Sequence, residues 1–349
     1  MTVRNNSVKH NPLKKIIKRC MQHVAASYGR HTRNNKEPRL LVLMYHRILP
    51  KLDSRTRLEE PGMMVTPETF RMHMRLIKQH FDVLSLSQWI KRKHNGETLP
   101  TRCCAITFDD GWADNYEFAY PILQEFALPA TIFLVSDMMG KNQSFWPERL
   151  ARLITDITLN CPEQWNHPSL AWIKSTALNY EFAAIPPDQE QLSDIINQIK
   201  QLPDDEVHAH IDTVEKVLQL HNEPLPSLLS WQQMTEMSAS GLIEAGSHTC
   251  HHIRLGSGQE EETLKQEIIQ SRLQIEKQLG HPVDTFCYPN GDYSPRAVEL
   301  VKQNYQCAVT TKRGWNTADT DEHLLHRIGV HEDISADKTA FLARISGWM

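Results

Sequence analysis

The chain has 349 residues, of which 40% are hydrophobic and 23% are charged, so it can bury one large α/β barrel or two ordinary domains. It contains no run of about 18 apolar residues, and its first residues show no apolar segment followed by a small-residue cleavage site. Neither a transmembrane span nor a secretory signal is therefore expected. The seven cysteines are odd in number and include the adjacent pair Cys103 and Cys104, which favours free thiols in a reducing cytoplasm.

The first 38 residues form a basic arm that the net charge of −4 conceals. Residues 1–40 carry ten lysines and arginines against one acid, Glu37. Between residues 13 and 24, apolar and basic side chains alternate at helical spacing, which is typical of an amphipathic helix on an anionic membrane surface. A solvated helix packed on the protein shows the same pattern, so both interpretations stand. The first would place a cytoplasmic protein at the inner membrane face; no nucleic-acid partner is expected.

After the arm, short apolar runs alternate with amphipathic segments. Strand followed by helix, repeated, predicts a parallel α/β fold: a distorted, incomplete (β/α) barrel of about seven strands. Seven apolar runs have the length of buried strands: 39–45, 103–108, 130–135, 241–246, 283–288, 306–310 and 324–330. Helices are predicted over about 66–80, 113–126, 260–279, 295–304 and 336–345.

Strand signals disappear between about residues 144 and 230. This stretch contains three tryptophans, several prolines and helical periodicity at 192–202 and 207–220. It predicts a helical insertion within a barrel domain of residues 39–349. Its composition does not choose among a cap over the site, a substrate-recognition element and an assembly surface.

Asp109 and Asp110 directly follow the predicted strand 103–108. Two adjacent carboxylates at the carboxyl edge of a barrel are costly without a cation or another partner. The alternative is a helix cap, since a helix is predicted soon after Gly111. Taken alone, Asp-Asp-Gly favours the cap.

His248 and His252 follow another predicted strand and lie four residues apart, a spacing that puts both imidazoles on one face of a helical turn. Two neutral imidazoles and one carboxylate form a three-ligand site with an open position, as in hydrolytic zinc centres. The pair alone is weak evidence in a chain with 18 histidines, and His251 competes for the ligand role.

Three motifs, in this order, resemble those of the polysaccharide deacetylase family, the chitin-deacetylase-like carbohydrate esterases of family four. Thr107–Gly111 (TFDDG) is similar to the first motif, and His248–His252 (HTCHH) to the second, H-[ST]-x-x-H. Phe286–Gly291 (FCYPNG) is similar to the F-x-Y-P-x-G variant of the third. Leu43–Arg47 and Pro129–Phe133 add supporting matches. The resemblance runs from about residue 40 to 330, without the insertion, and implies a metal-dependent barrel enzyme that removes N-acetyl groups.

The family resemblance also implies roles for particular residues. It assigns Asp110, His248 and His252 to a divalent metal, with zinc as the first choice and cobalt or nickel as alternatives. It leaves Asp109 unliganded as the general base and places the backbone N–H of Tyr288 at the oxyanion. Two further residues of the third motif are assigned to substrate binding: Pro289 and Asn290.

The sequence departs from the family at the proton donor and at the third motif. His326 ends Leu324–His326, which fits the short L-x-H motif that supplies the acid in many members, and His46 and His331 are the alternatives. An arginine often begins the third motif, but Asp284 and Thr285 precede Phe286 here. A fourth motif has no clear counterpart near residues 312–315.

Trp315 is predicted to stack on a sugar ring, with a buried rim tryptophan as the alternative. Cys250 and Cys287, inside the second and third motifs, are interpreted as small packing residues.

The predicted function is removal of N-acetyl groups from a glycan or sugar-lipid in cell-surface polysaccharide metabolism. Hydrolysis of small non-peptide amides and non-catalytic glycan binding are the alternatives. A free base beside a complete metal triad argues against mere binding.

Overall fold

The structure is a computed structural model that describes residues 12–33, 36–60, 62–141, 144–177, 180, 185–219 and 228–348. Its centre is a closed barrel of seven parallel strands. The strands are β1 (Arg39–Tyr45), β2 (Cys103–Phe108), β3 (Ala130–Leu134), β4 (Ile243–Ser247), β5 (Thr285–Cys287), β6 (Cys307–Arg313) and β7 (Leu325–Gly329). They pair in the order β1-β7-β6-β5-β4-β3-β2, and β2 pairs back with β1. The predicted fold class is confirmed, with one strand fewer than an eightfold barrel.

The pairing is uneven around the ring, which accounts for the distortion of the barrel. Strands β1 and β2 stay in register over six residue pairs, from Leu40 opposite Cys103 to Tyr45 opposite Phe108. Strands β4 and β5 meet at a single pair, Ser247 opposite Phe286. The register between β7 and β6 shifts within two residues of β7.

Side chains of each strand alternate between the inside of the barrel and the surrounding helices. In β1, Leu40 and Val42 belong to the interior cluster, whereas Leu41 and Leu43 pack outward. Both faces are therefore buried, which explains why the strands are uninterrupted apolar runs.

Helices surround the barrel at boundaries close to those predicted. Thr66 caps the helix at 67–80 by accepting a hydrogen bond from the N–H of Thr69. Gly280, with a φ of 73°, ends the helix at Ser271–Leu279. The predicted helices 113–126 and 260–279 each contain one π-helical turn. The helices around the barrel are α1 (Pro12–Tyr28), α2 (Pro67–His80), α3 (Leu86–His94), α4 (Tyr120–Phe126), α9 (Trp231–Ala239), α10 (Glu261–Lys265), α11 (Ser271–Leu279), α12 (Pro295–Asn304), α13 (Glu332–Ser335) and α14 (Lys338–Ile345).

The described part of the stretch in which the sequence predicts an insertion contains four α-helices: α5 (Trp146–Asn160), α6 (Ala171–Thr176), α7 (Gln189–Ile199) and α8 (Asp204–Val217). They enclose a hydrophobic cluster that is separate from both clusters of the barrel and includes Leu150, Ile196 and Ile211. Arg149 links α5 to α8, because it forms ion pairs with Asp212 and Glu215 of α8.

Helix α1 lies along α14, where Gly29 permits close approach because a Cβ there would stand 2.5 Å from the Cβ of Ser346. Among the described residues, no helix combines the length and the hydropathy that a membrane crossing requires. The boundary between arm and barrel near residue 38 stays a prediction.

Candidate active site

The two aspartates are the first two residues beyond the carboxyl end of β2. The N–H of Asp109 continues the ladder to the carbonyl of Tyr45 at 3.0 Å. Asp110 and Gly111 then both adopt left-handed conformations, with φ of 74° and 73°. This conformation is unfavourable for a side-chain-bearing residue such as Asp110, so the surrounding structure must hold it there. The turn sends the two neighbouring carboxylates to different partners.

Asp110 meets the two predicted histidine ligands. The Nε2 atoms of His248 and His252 each lie 3.4 Å from Asp110 Oδ1. The Nδ1 atom of His248 donates to the carbonyl of Cys287 at 2.8 Å, which leaves Nε2 for a ligand role. Trp112 Nε1 donates to the other oxygen, Asp110 Oδ2, at 3.0 Å. Three ligand atoms within 4.8 Å of one another, oriented in this way, fit a divalent cation.

The histidine motif reaches the site through a loop, so the predicted helical turn is wrong. Thr249 and His252 adopt left-handed conformations, with φ of 68° and 61°. The hydroxyl of Thr249 accepts from the N–H of His252 at 2.9 Å and stabilises this path. His251 points elsewhere, because its ring nitrogens contact Glu267 at 2.7 Å and Asp137 at 3.0 Å.

Buried charge sets the protonation of the cluster. Burial alone would lower the pKa of His248, but Cys287 and Asp110 outweigh it and raise that pKa above its ordinary value. Burial lowers the pKa of His252 to about 4, despite the opposing charge of Asp110. His252 is therefore a neutral imidazole, as a metal ligand must be, whereas a cation and a proton compete for His248.

Asp109 has a different partner, which sequence reasoning missed. Arg327 of β7 forms a bidentate pair with it, with Nη1 2.6 Å from Oδ1 and Nη2 2.7 Å from Oδ2. Arg327 itself is fixed by the carbonyl of Thr310 at 2.9 Å. Burial opposes ionisation of Asp109, but the charge and hydrogen bonds of Arg327 outweigh it and hold the pKa of Asp109 below its ordinary value. The arginine absent from the third motif thus has a counterpart on another strand. An arginine within a predicted buried strand was the available signal.

His46, at the end of β1, is the histidine nearest to the base among those weighed as the acid. Its Nε2 lies 3.8 Å from Asp109 Oδ2, and its side chain is 18% exposed. His326 does not reach the site. Because Arg327 faces the barrel interior, alternation turns its neighbour His326 outward, where it contacts Gly314 and its backbone N–H donates to Asn316. His331 contacts Asp333 instead.

Two further predicted roles do not agree with the structure. The backbone N–H of Tyr288 donates to the carbonyl of Val309 at 3.2 Å, so it is not available to an oxyanion. Trp315 is buried against Phe81, and its indole N–H donates to the carbonyl of Ile345 at 2.9 Å, so its ring cannot stack on a sugar.

The remaining third-motif residues lie in different settings. Pro289 is buried, and Asn290 is exposed with a left-handed φ of 55°. Cys287, interpreted from sequence as a packing residue, does pack in the barrel interior. Its thiol also lines the base, 3.6 Å from Asp109 Oδ2 and 3.1 Å from Arg327 Nη2.

A buried polar wall joins the site to the insertion. The guanidinium of Arg47 lies 4.1 Å from the ring centroid of Trp112 and pairs with Asp114 and Glu59. Burial raises the pKa of Glu59 to about 7 and raises that of Glu148 of α5 well above its ordinary value. Burial therefore favours the neutral form of both carboxyl groups more than water does.

Fold and site together define a barrel hydrolase with a carboxylate–histidine centre at the carboxyl ends of its strands. The profile of the polysaccharide deacetylase family matches residues 96–307. The chain belongs to that family of deacetylase enzymes.

Individual relatives are similar over different shares of the chain. YxkH of Bacillus subtilis, described as a polysaccharide deacetylase, is 22% identical over 305 residues, which cover 87% of this chain and 75% of that protein. The poly-β-1,6-N-acetyl-D-glucosamine N-deacetylase of Staphylococcus epidermidis is 33% identical over 109 residues, or 29% of this chain and 37% of that protein.

Solved structures share the fold. The Streptococcus pyogenes deacetylase PplD, in complex with acetate, superposes with a TM-score of 0.58 at 19% identity and covers 89% of this chain and 99% of that one. IcaB from Ammonifex degensii gives a TM-score of 0.56 at 18% identity over 88% of this chain and 97% of that one. At such identities the likeness establishes the architecture alone.

Proposed function

We propose that this protein is a metal-dependent N-deacetylase that releases acetate from an N-acetylated glycan or sugar-lipid of cell-surface polysaccharide metabolism. The observation that carries the proposal is the division of labour between adjacent aspartates. Asp110 faces two imidazoles, whereas Asp109 faces Arg327 and His46. A non-catalytic glycan-binding barrel has no use for this second, ionised carboxylate.

The ligand set would hold the cation through Asp110 Oδ1 and the Nε2 atoms of His248 and His252. Two imidazoles and one carboxylate suit zinc best, with cobalt and nickel as alternatives. When bound, the ion supplies Lewis acidity toward the acetyl carbonyl and lowers the pKa of water.

Asp109 acts as the general base in this proposal. Its carboxylate accepts a proton from the water that attacks the acetyl carbon, while Arg327 keeps it ionised and fixes its plane. His46 gives a proton to the sugar nitrogen as the carbon–nitrogen bond breaks, because it lies beside the base and is partly open to solvent. The products are acetate and the protonated amine, and the proton taken up by Asp109 returns to His46, so the protons balance.

A polar groove supports a glycan over a small amide. Its volume is about 480 Å³, and its lining includes Ala113, three residues beyond Asp110 in the chain. Tyr116 and Gln233 line it with hydrogen-bonding groups suited to sugar hydroxyls. The match to a poly-β-1,6-N-acetyl-D-glucosamine N-deacetylase supports the same substrate class. The cytoplasmic location stays a prediction.

The test is acetate release from N-acetylglucosamine oligomers and from small ureides, measured together with the metal content of each variant. Asp109→Asn is expected to keep its metal and lose roughly 10²–10⁴-fold in kcat, the usual contribution of a positioned acid or base. Asp110→Ala is expected to lose the metal, and His326→Gln serves as the control with unchanged kcat. Near-normal turnover by Asp109→Asn would refute the assigned chemistry, and release from ureides alone would refute the glycan substrate.

A further inference from the structure

Helix α1 turns an apolar side away from the protein. Ile17, Met21, Val24 and Tyr28 recur at intervals of four, three and four residues and so share one face of the helix. Their exposed fractions are 50%, 56%, 53% and 64%. Single exposed apolar residues need no explanation, but four in one line on a surface helix do. We call these four residues the α1 stripe.

The α1 stripe is not a face that the fold left badly packed, because the other side of the helix already contacts the barrel domain. Ala25 is 2% exposed, and Gly29 lies against Ser346 after α14. The N–H of Arg30 donates to the carbonyl of Ser346 at 2.9 Å. The helix is therefore anchored through small residues, and its larger apolar side chains point outward.

Positive charge accompanies the α1 stripe. Lys18 is exposed about a quarter-turn of the helix from it, and residues 1–40 carry ten basic side chains against one acid. At the far end, Arg33 donates to the carbonyl of Tyr28 and lies 5.0 Å from the ring centroid of Trp348, which is 46% exposed. Apolar residues flanked by lysine and arginine, with tryptophan and tyrosine at the edge, match an anionic lipid interface.

We propose that α1 is an interfacial helix that docks this protein on an anionic lipid surface through the α1 stripe. Charge selects this occupant. Two copies of the chain would each carry ten basic residues against one acid within residues 1–40 and would repel each other, whereas anionic headgroups neutralise this charge.

Docking in this way sets the orientation of the barrel. Arg19 and Gln22 line one hollow with Lys338 at the start of α14, which follows the carboxyl end of β7. At the other end, Arg102, just before β2, donates to the carbonyl of His31. Helix α1 thus runs alongside the barrel, antiparallel to its strands, with its amino end toward the active-site end. The barrel lies on its side, and its mouth opens at the lipid surface, within reach of a lipid-linked glycan. Only this last point rests on the proposed function.

The experiment is co-sedimentation of the full chain with phosphatidylcholine vesicles, with and without phosphatidylglycerol. Ile17→Gln/Met21→Gln removes the apolar contact, and Lys18→Gln/Arg19→Gln removes charge. Leu159→Gln/Leu273→Gln is the matched control, because those side chains are 50% and 49% exposed elsewhere. Acetate release from a soluble oligomer and sizing chromatography accompany each variant.

We expect binding to vesicles with phosphatidylglycerol only, weakened by salt. The apolar double variant is expected to lose at least about tenfold in partitioning, and the charge variant about fivefold per residue. The control variant and all soluble activities should be unchanged. Failure to pellet, or equal pelleting of the α1 variants and wild type, overturns the proposal. A dimer that the α1 variants abolish also overturns it and assigns the α1 stripe to a second copy. Unchanged vesicle binding in a protein without deacetylase activity would refute the proposed function alone.

Discussion

The barrel and the insertion differ in the contacts that stabilise them. The barrel strands are covered on both faces, and its outer cluster joins strands to helices from residues 41 to 345. The insertion has its own apolar cluster within residues 146–214, and it meets the barrel loops through polar contacts and through apolar packing of Phe145 against Trp112. Arg254 pairs with Asp204 at 2.9 Å, and Lys200 lies 3.3 Å from Glu60.

The barrel supplies the reacting groups, whereas the insertion helps to enclose the site. Every group assigned to the metal, the base or the acid comes from a loop or strand of the barrel. The insertion contacts the site through its edge: Phe145, just before α5, meets the ring of His252 at a centroid distance of 5.0 Å. Arg254, two residues beyond His252, holds the start of α8. The insertion thus forms a wall of the site without supplying a reacting group, and the two regions should respond differently to substitution.

The largest effect is expected from Arg327→Gln in the barrel. This change leaves Asp109 buried without its counter-charge, which raises the pKa of the base. It also removes the two hydrogen bonds that fix the orientation of the Asp109 carboxylate. We expect kcat to fall at least about 100-fold, with a loss of about 3–5 kcal/mol in the free energy of unfolding. Arg313→Gln, an exposed arginine on β6, is the control and should change neither quantity. Steady-state kinetics and urea unfolding give the two readouts, and retained kcat in Arg327→Gln would show that Asp109 is not the base.

The same site shows what sequence can and cannot predict. Asp109, Asp110, His248 and His252 were recognisable because each follows a predicted strand and lies in a motif that resembles the deacetylase family; position after a strand alone favoured a helix cap for the aspartates. Arg327 was missed because its contact with Asp109 spans 218 residues and exists only once the barrel closes.

The wrong assignments also have a physical reason. The assignment of His326 is wrong because successive side chains of a strand point to opposite faces. Arg327 faces the barrel interior, so the adjacent His326 faces outward. Tyr288 and Trp315 fail because the carbonyls of Val309 and Ile345 already accept their N–H groups, and no local pattern announces such partners.

The next largest effect is expected from truncating the two apolar cores at matched positions. Ile196 of α7 and Ile77 of α2 are both fully buried, in the insertion and barrel clusters respectively. Each Ile→Ala change should cost about 2–5 kcal/mol. We expect Ile196→Ala to accelerate amide hydrogen exchange in α5, α7 and α8 only, with metal content and kcat preserved. Ile77→Ala should accelerate exchange throughout the barrel.

Uniform acceleration in both variants would mean that the two regions unfold as one cooperative unit. The separation drawn from the clusters would then describe packing but not stability.

The smallest expected effect concerns acid and should belong to the barrel alone. His73 of α2 is buried between the Tyr45 hydroxyl, 3.1 Å from its Nδ1, and the carbonyl of Ser335, 2.8 Å from its Nε2. Burial lowers its pKa from 6.5 to about 4. Between these values the unfolded chain binds the proton and the folded barrel resists it, so stability falls as the pH falls. The loss attributable to His73 is about 3 kcal/mol.

His73→Gln keeps a hydrogen-bonding side chain but removes the titration. Urea unfolding from pH 7 to pH 4.5 should therefore show a shallower decline than in wild type, whereas other histidines contribute equally to both proteins and cancel in the difference. Hydrogen exchange within α5–α8 should show no difference between the two proteins at any pH. Identical declines would locate the acid sensitivity outside His73, and a difference confined to the insertion would reverse the comparison between the two regions.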